Sequence, residues 1–175
     1  FAALKEDGSV VIWGDSKYGG DGRNEETGKS VSKKLASGVI HIVTGEDAFA
    51  ALKDDGSVIT WGRDGTYRSS FFSVKKSLKK GVKKIFSTTF GFAALKEDGS
   101  VIGWGDANIY PVSSALQSGV SQIFPNGSAF AALKEDGSVV TWGRSDRGGD
   151  SSSVSTDLQS GVTQIFSTGS AFAAL

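Results

Sequence analysis

No cysteine occurs in the 175 residues, which excludes disulfides, thiolate metal ligands and a cysteine nucleophile together. Histidine occurs once, as His41. A single imidazole leaves a zinc centre or a Ser-His-Asp triad without the partners either requires. Serine is plentiful, but no G-x-S-x-G elbow accompanies it. The longest apolar runs are about five residues, against the roughly 20 that a membrane-spanning helix needs. Net charge is zero, so no overall field draws the chain toward nucleic acid or an anionic membrane. Proline is scarce, at two residues, and turning falls to 24 glycines with abundant Ser, Thr and Asp. That composition fits turn-rich β-structure of the kind found in extracellular bacterial repeat proteins. Methionine is absent even at position 1 and the chain opens inside a repeat, which leads us to expect a stretch of a longer polypeptide.

What is present is one phrase written four times. FAALKEDGSVVIWGD starts at Phe1, and versions of it start at Phe49, Phe92 and Phe130, with FAAL again at Phe172. Units 1–48, 49–91, 92–129 and 130–171 follow, with 172–175 opening a fifth, all within one repeat domain spanning 1–175. Periods near 40 residues indicate propellers or solenoids, in which a unit too small to bury its own apolar face stacks on its neighbours. Phe-to-Trp spacing is 12 throughout, at Trp13, Trp61, Trp104 and Trp142. The valines of each V-x-x-x-L-x-x-G-V segment are 8 apart, and only the Trp-to-Val stretch varies, at 18, 13, 8 and 12. Every length change therefore falls in one loop per unit, and such loops tend to share a face that binds.

Within the unit from Phe130, FAAL and SVVTW read as strands joined by Lys134-Glu135-Asp136-Gly137-Ser138, because Asp-Gly between β-type runs is a strong hairpin signal. Their nearly continuous apolar character predicts sheets covered on both faces. Ala131 and Ala132 leave room for close approach. Val154 and Leu158, with Gly161 behind them, predict one or two helical turns ended by a glycine cap. G-V-T-Q-I-F-S-T predicts a further strand with Val162, Gln164 and Phe166 on one side and Thr163, Ile165 and Ser167 on the other.

At G-S-x-F-A-A-L-K-E-D-G-S-V-V-T-W-G the chain resembles the regulator of chromosome condensation (RCC) repeat family, and the D-G-x-V-x-x-W-G portion recurs intact four times. The resemblance implies an all-β propeller of RCC-like blades, here four repeats of a seven-bladed ring or longer array, serving mainly to bind proteins. Two departures stand out. The family's His-Thr pair is Phe-Ala here, as at Phe49-Ala50 and Phe130-Ala131, and its G-Q-L-G is replaced by strings such as Tyr18-Gly19-Gly20-Asp21 and Arg147-Gly148-Gly149-Asp150. Both argue against the nucleotide exchange and chromatin binding of eukaryotic members, and the tandem Phe-Ala-Ala-Leu copies look more like bacterial members strung along surface or secreted proteins.

The four tryptophans at a fixed register are expected to fill the space between blades. Glu6-Asp7, Asp54-Asp55, Glu97-Asp98 and Glu135-Asp136 sit on hairpin turns, where adjacent carboxylates do not converge as acid-base catalysis or calcium binding requires. His41 shares its repeat position with Lys84, Gln122 and Gln164, a slot that accepts any polar side chain. The variable loops carry Lys17, Tyr18, Arg23, Asn24, Arg63, Tyr67, Arg68, Phe71, Asn108, Tyr110, Arg144, Asp146 and Arg147, rich in the Tyr and Arg that dominate interface hot spots. A lysine cluster, Lys75, Lys76, Lys79, Lys80, Lys83 and Lys84, is a weaker candidate for anions. It belongs to a dipolar pattern, with 15 basic and 11 acidic residues up to Gly91 and 4 and 8 after it.

The expectation is a non-enzymatic module of a bacterial secreted or cell-surface protein, without cofactor or metal, that binds a protein or glycan through its variable loops. The alternative is a structural spacer that contacts only neighbouring repeats or copies of itself. Nucleic acid is not an expected partner.

Overall fold

The computed structural model describes residues 1–23, 28–62, 73–109 and 111–175. Among the described residues the chain forms five small antiparallel sheets in sequence order. The first pairs β1 (Ala2–Leu4) with β2 (Val10–Ile12). Three sheets of three strands follow: β3 (Val39–Thr44), β4 (Ala48–Lys53) and β5 (Val58–Gly62); β6 (Val82–Thr88), β7 (Gly91–Lys96) and β8 (Val101–Gly105); β9 (Val120–Pro125), β10 (Ala129–Lys134) and β11 (Val139–Gly143). The last pairs β12 (Ile165–Ser167) with β13 (Phe172–Ala174). These sheets run out of phase with units counted from phenylalanine: each three-stranded sheet takes its first strand from the end of one unit and the other two from the start of the next.

The Asp-Gly signals do close hairpins, and the register they set is the same each time. Phe49 faces Trp61, Phe92 faces Trp104 and Phe130 faces Trp142 across the strand pair. Those rings stack with centroids 5.0, 5.3 and 5.1 Å apart. The middle strands are buried along most of their length, with Ala50, Ala51, Ala93, Ala94, Ala131 and Ala132 fully enclosed. Side chains this small let neighbouring sheets approach on both faces.

One strand expectation is corrected. Strict alternation in the first strand of each sheet would separate the valine from the isoleucine three residues on, yet Val39, Val82, Val120 and Val162 are buried, as are Ile85, Ile123 and Ile165. A bulge after the valine removes one residue from the ladder, with pairing shifts between Val39 and His41, between Val82 and Lys84, and opposite Leu133 and Lys134. The extra residue resets the pleat, so positions i and i+3 share the buried side. Ile40, Lys83 and Ser121 bulge outward and are exposed.

First strands lie next to one another from sheet to sheet, β3 by β6, β6 by β9 and β9 by β12, so they form the inside of an arc. Apolar clusters fill the gaps between sheets. The gap between the second and third sheets holds Leu52, Val74, Leu78, Val82, Ile85, Phe92 and Trp104, and the next gap repeats it with Leu95, Ile109, Leu116, Val120, Ile123, Phe130 and Trp142. The V-x-x-x-L segments supply Leu35, Leu78 and Leu116 from short turns, including 3-10 turns at Ser77–Lys79 and Ser114–Leu116. Each buried tryptophan packs toward the preceding sheet. Trp13 departs from the expectation for that reason: no sheet precedes its own among residues 1–175, and it is 49% exposed against 2%, 2% and 7% for Trp61, Trp104 and Trp142.

Two rows of backbone hydrogen bonds tie the sheets together. At one end, the carbonyls of Gly8, Gly56, Gly99 and Gly137 accept from the N–H of Val39, Val82, Val120 and Val162 in the next sheet, at 2.9, 3.0, 3.0 and 3.0 Å. At the other end, the turn between first and middle strands is bonded to the next such turn: Glu46 N–H to Thr89 O at 3.0 Å, Thr89 N–H to Gly127 O at 3.1 Å, and Gly127 N–H to Gly169 O at 3.1 Å.

Replacing Trp104 with alanine should cost about 3–5 kcal/mol of unfolding free energy, and Trp13→Ala no more than about 1 kcal/mol, when both are measured by denaturant titration. Gly99 has φ +75° and a Cβ placed on it would lie 3.0 Å from Gly119 N. Gly99→Ala should therefore cost about 2 kcal/mol or more in the same assay, and a neutral result would mean that sheet-to-sheet approach is looser than described.

Candidate functional site

Each variable loop leaves from the same corner of its sheet. The Trp-Gly that ends a third strand pairs with the residue that starts the middle strand, Gly62 with Ala48, Gly105 with Gly91 and Gly143 with Ala129. The exits therefore stand beside the row of bonded turns, at the end of the sheets opposite the Asp-Gly hairpins. From there the chain returns along the outer strand to the leucine of the V-x-x-x-L segment, as shown by Val10 N–H bonding Leu35 O and Val139 N–H bonding Leu158 O, each at 2.9 Å.

Much of the first and last loops is structural. Asp15 caps the 3-10 turn Ser16–Tyr18 by accepting from Lys17 N–H at 2.9 Å, and Gly19 follows with φ +82°. A Cβ on Gly19 would lie 2.7 Å from Gly62 Cα, so this turn seats itself on the Trp-Gly end of the next sheet. Gly148 repeats the device with φ +92° against the Phe172 ring. The Gly-Gly strings that replaced G-Q-L-G in the sequence are thus clamps between sheets. Gly20 and Gly149 pass so close to the backbone of Gly14 and Gly143 that a side chain has no room.

Residues the sequence singled out divide accordingly. Lys17, Tyr18, Arg23 and Asn108 are exposed. Arg23 returns to Asp21, its N–H to Oδ1 at 3.0 Å and its guanidinium to Oδ2 at 3.3 Å. Arg144 holds Asp146 with two hydrogen bonds of 3.1 Å, and Arg147 donates to Ser170 Oγ at 2.8 Å in the next turn. These three form one surface cluster anchored to the adjacent sheet. Asn24, Arg63, Tyr67, Arg68, Phe71 and Tyr110 lie outside the described residues.

Sequence reading passed over Asn126. Its amide donates to Arg147 O at 2.7 Å, and its Oδ1 accepts from Ser128 and Ala129 N–H at 2.8 and 2.7 Å. One buried side chain joins the turn row to the loop. Thr88 and Thr168 hold the equivalent turns through their hydroxyls, so an Asn-Gly turn signal at 126–127 was the available clue.

The paired carboxylates behave as turn residues. Asp7, Asp98 and Asp136 each accept from the N–H and hydroxyl of the serine two residues on, the hydroxyl bonds all measuring 2.6 Å. These serine bonds hold the aspartates below the usual carboxylate range, Asp7 at about 2, with nearby Lys5, Lys96 and Lys134 adding smaller downward pulls. A general acid needs the opposite shift. Among the described residues no group of three His, Asp or Glu side chains converges as a metal site.

The lysine cluster is split by the fold. Lys75 and Lys79 line a groove of about 590 Å³ along β5, while Lys83 and Lys84 join His41 at a second groove of about 440 Å³ on the first strands. Lys76 and Lys80 are exposed between them.

No family model matches the chain, and neither does any curated protein. Solved structures do match. Prp20p from Saccharomyces cerevisiae is 17% identical, with a TM-score of 0.56 over 94% of this chain and 50% of its own. Yeast RCC1 (Prp20) bound to Kap60 is 17% identical, with a TM-score of 0.54 over 87% and 46%, and human WBSCR16 is 20% identical, with 0.52 over 91% and 48%. The chain spans about half the length of each. The fold is therefore that of the RCC1 β-propellers, seen here as an arc of blades.

The depressed aspartates give a sign to the acid limb of stability. Their unfolded values lie near 3.9, so their contribution is complete above that and is lost as pH falls toward the folded values, about 2 for Asp7. The thermal midpoint should drop between about pH 4 and pH 2. Asp98→Asn keeps the acceptor but removes the titration, so it should shrink that drop, as read by circular dichroism melts; superimposable pH profiles would refute the assignment.

Proposed function

We propose that this chain is a non-enzymatic RCC-type propeller module of a bacterial secreted or cell-surface protein, and that it binds a protein or glycan partner through the loops that follow each Trp-Gly. The carrying observation is the common exit: three loops of unequal length leave equivalent corners beside one continuous row of bonded turns. A rigid row with adjustable loops above it presents several side chains to one surface at little conformational cost.

Support comes also from the structural neighbours. Yeast Prp20p is described with its binding to Gsp1p and histones, and yeast RCC1 in complex with Kap60, so this fold carries protein-binding surfaces elsewhere. The bacterial surface setting rests on the cysteine-free, turn-rich composition and the near-identical tandem copies. The non-enzymatic reading is supported by exposed aspartates held ionised by serines and by a lone histidine on an exposed strand position.

A second reading, a structural spacer or assembly module, has its own observation. Gly19, Gly148 and the Arg147–Ser170 bond commit parts of the loops to the neighbouring sheet rather than to an outside partner. Substituting Tyr18, Tyr67, Arg68 and Tyr110 together with alanine separates the two. The binding reading expects partner retention on immobilised protein to fall by about tenfold or more with an unchanged thermal midpoint. Undiminished retention would leave the spacer reading standing.

A further inference from the structure

The groove along β5 gathers five lysines from three separate segments. Lys29 and Lys34 come from the stretch before β3, Lys53 from the end of β4, and Lys75 and Lys79 from the stretch before β6. Among the described residues one carboxylate lines it with them, Asp55, whose Oδ1 already accepts Ser57 N–H at 2.9 Å. The floor between the lysines is aliphatic, built from Val31, Val58, Ile59 and Leu78.

Lys53 belongs to the repeat, recurring as Lys5, Lys96 and Lys134, but the other four lysines are not a requirement of it. The position of Lys75 is Ser32, Ser113 and Ser155 in the other units, that of Lys79 is Ala36, Gln117 and Gln159, and that of Lys34 is Ser77, Ala115 and Asp157. In the third unit Leu116 is as fully buried beside Ser113, Ala115 and Gln117 as Leu35 and Leu78 are in the lysine-bearing segments. Folding of the repeat therefore does not call for lysine at those four positions. Clustering like charges around a concavity raises the local potential and so attracts anions.

We propose that this groove is a binding site for an acidic glycan, a sugar chain bearing sulfate or carboxylate groups. Its volume, about 590 Å³, suits a short saccharide segment. Ammonium groups on flexible stems can follow anionic groups spaced irregularly along a chain, where the planar fork of arginine would demand fixed geometry. The aliphatic floor offers contact to the C–H faces of sugar rings. Single-stranded nucleic acid fits less well, because no aromatic side chain among the described lining residues offers the bases a stacking surface. Apart from Lys29 and Ser30, at the end of the first variable loop, the site lies outside the loops that follow Trp-Gly, and it does not depend on their role.

The test uses the whole chain and a fluorescent, fully sulfated uronate–glucosamine hexasaccharide, read by polarisation at low and raised salt. K34S, K75S and K79Q together install residues that sibling repeats already carry, so folding should be preserved, with matching melts as the check. Binding should weaken by about tenfold or more in this variant and fall with added salt. K83S with K84Q removes charge outside the groove and should change affinity less than about twofold, as should alanine substitution of the rim tyrosines. No binding, equal loss in the K83S/K84Q variant, or tighter binding of an oligothymidylate of the same charge would each overturn the proposal.

Discussion

The whole arc depends on how closely one sheet's Asp-Gly turn approaches the next sheet's first strand. The glycine of each turn adopts positive φ and offers its carbonyl to a valine N–H of the neighbour, with no space left for a Cβ. Gly8, Gly56, Gly99 and Gly137 meet Gly38, Gly81, Gly119 and Gly161 backbone to backbone. Once that contact is made, the valine is driven inward, the bulge after it turns the isoleucine to the same side, and leucine and tryptophan close the gap. The repeated phrase is thus mostly a description of an interface. No single repeat contains both halves of it, which is why the sheets and the sequence units are out of phase.

That constraint leaves one segment per repeat free. The hairpin end is fixed by the glycine contact, and the turn row at the other end is fixed by its own chain of hydrogen bonds. Between Trp-Gly and the next valine, the chain must only return to its leucine. Even there the freedom is partial. The first and last loops spend a pair of glycines seating themselves on the next sheet, and Asn126 and Arg147 tie loop to turn. The described loop residues not committed in this way stand beside a rigid row, which is the geometry expected of an adaptable surface on a fixed frame.

The charges follow the same division. Aspartates of the hairpins serve the backbone, their ionisation favoured by serine donors, and they recur because the turn recurs. Lysines before β3 and β6 recur nowhere else in register, and they meet across a gap between sheets. A balanced net charge conceals this, since the compensating acids sit largely on turns of the later sheets.

How far the sequence reached can be traced through particular residues. The hairpins, the Phe-Trp register, the enclosed alanines and the placing of all length variation in one loop were legible, because identical residues at identical spacing report an interface that is repeated, and Asp-Gly has a local conformational cause. The bulge was not legible: alternation assumes an uninterrupted ladder, and only pairing with a neighbour shows that Lys83 or Ser121 has been pushed out of it. Nor was the exposure of Trp13, which shares its repeat's spelling but has no preceding sheet among residues 1–175. The split of the lysine run, and the meeting of Lys34 and Lys53 with Lys75 and Lys79, was likewise decided only by tertiary structure. Local sequence fixes which residues want to turn or pair, whereas burial and clustering of charge depend on which neighbour arrives across the gap, and that distance is set by the packed sheets.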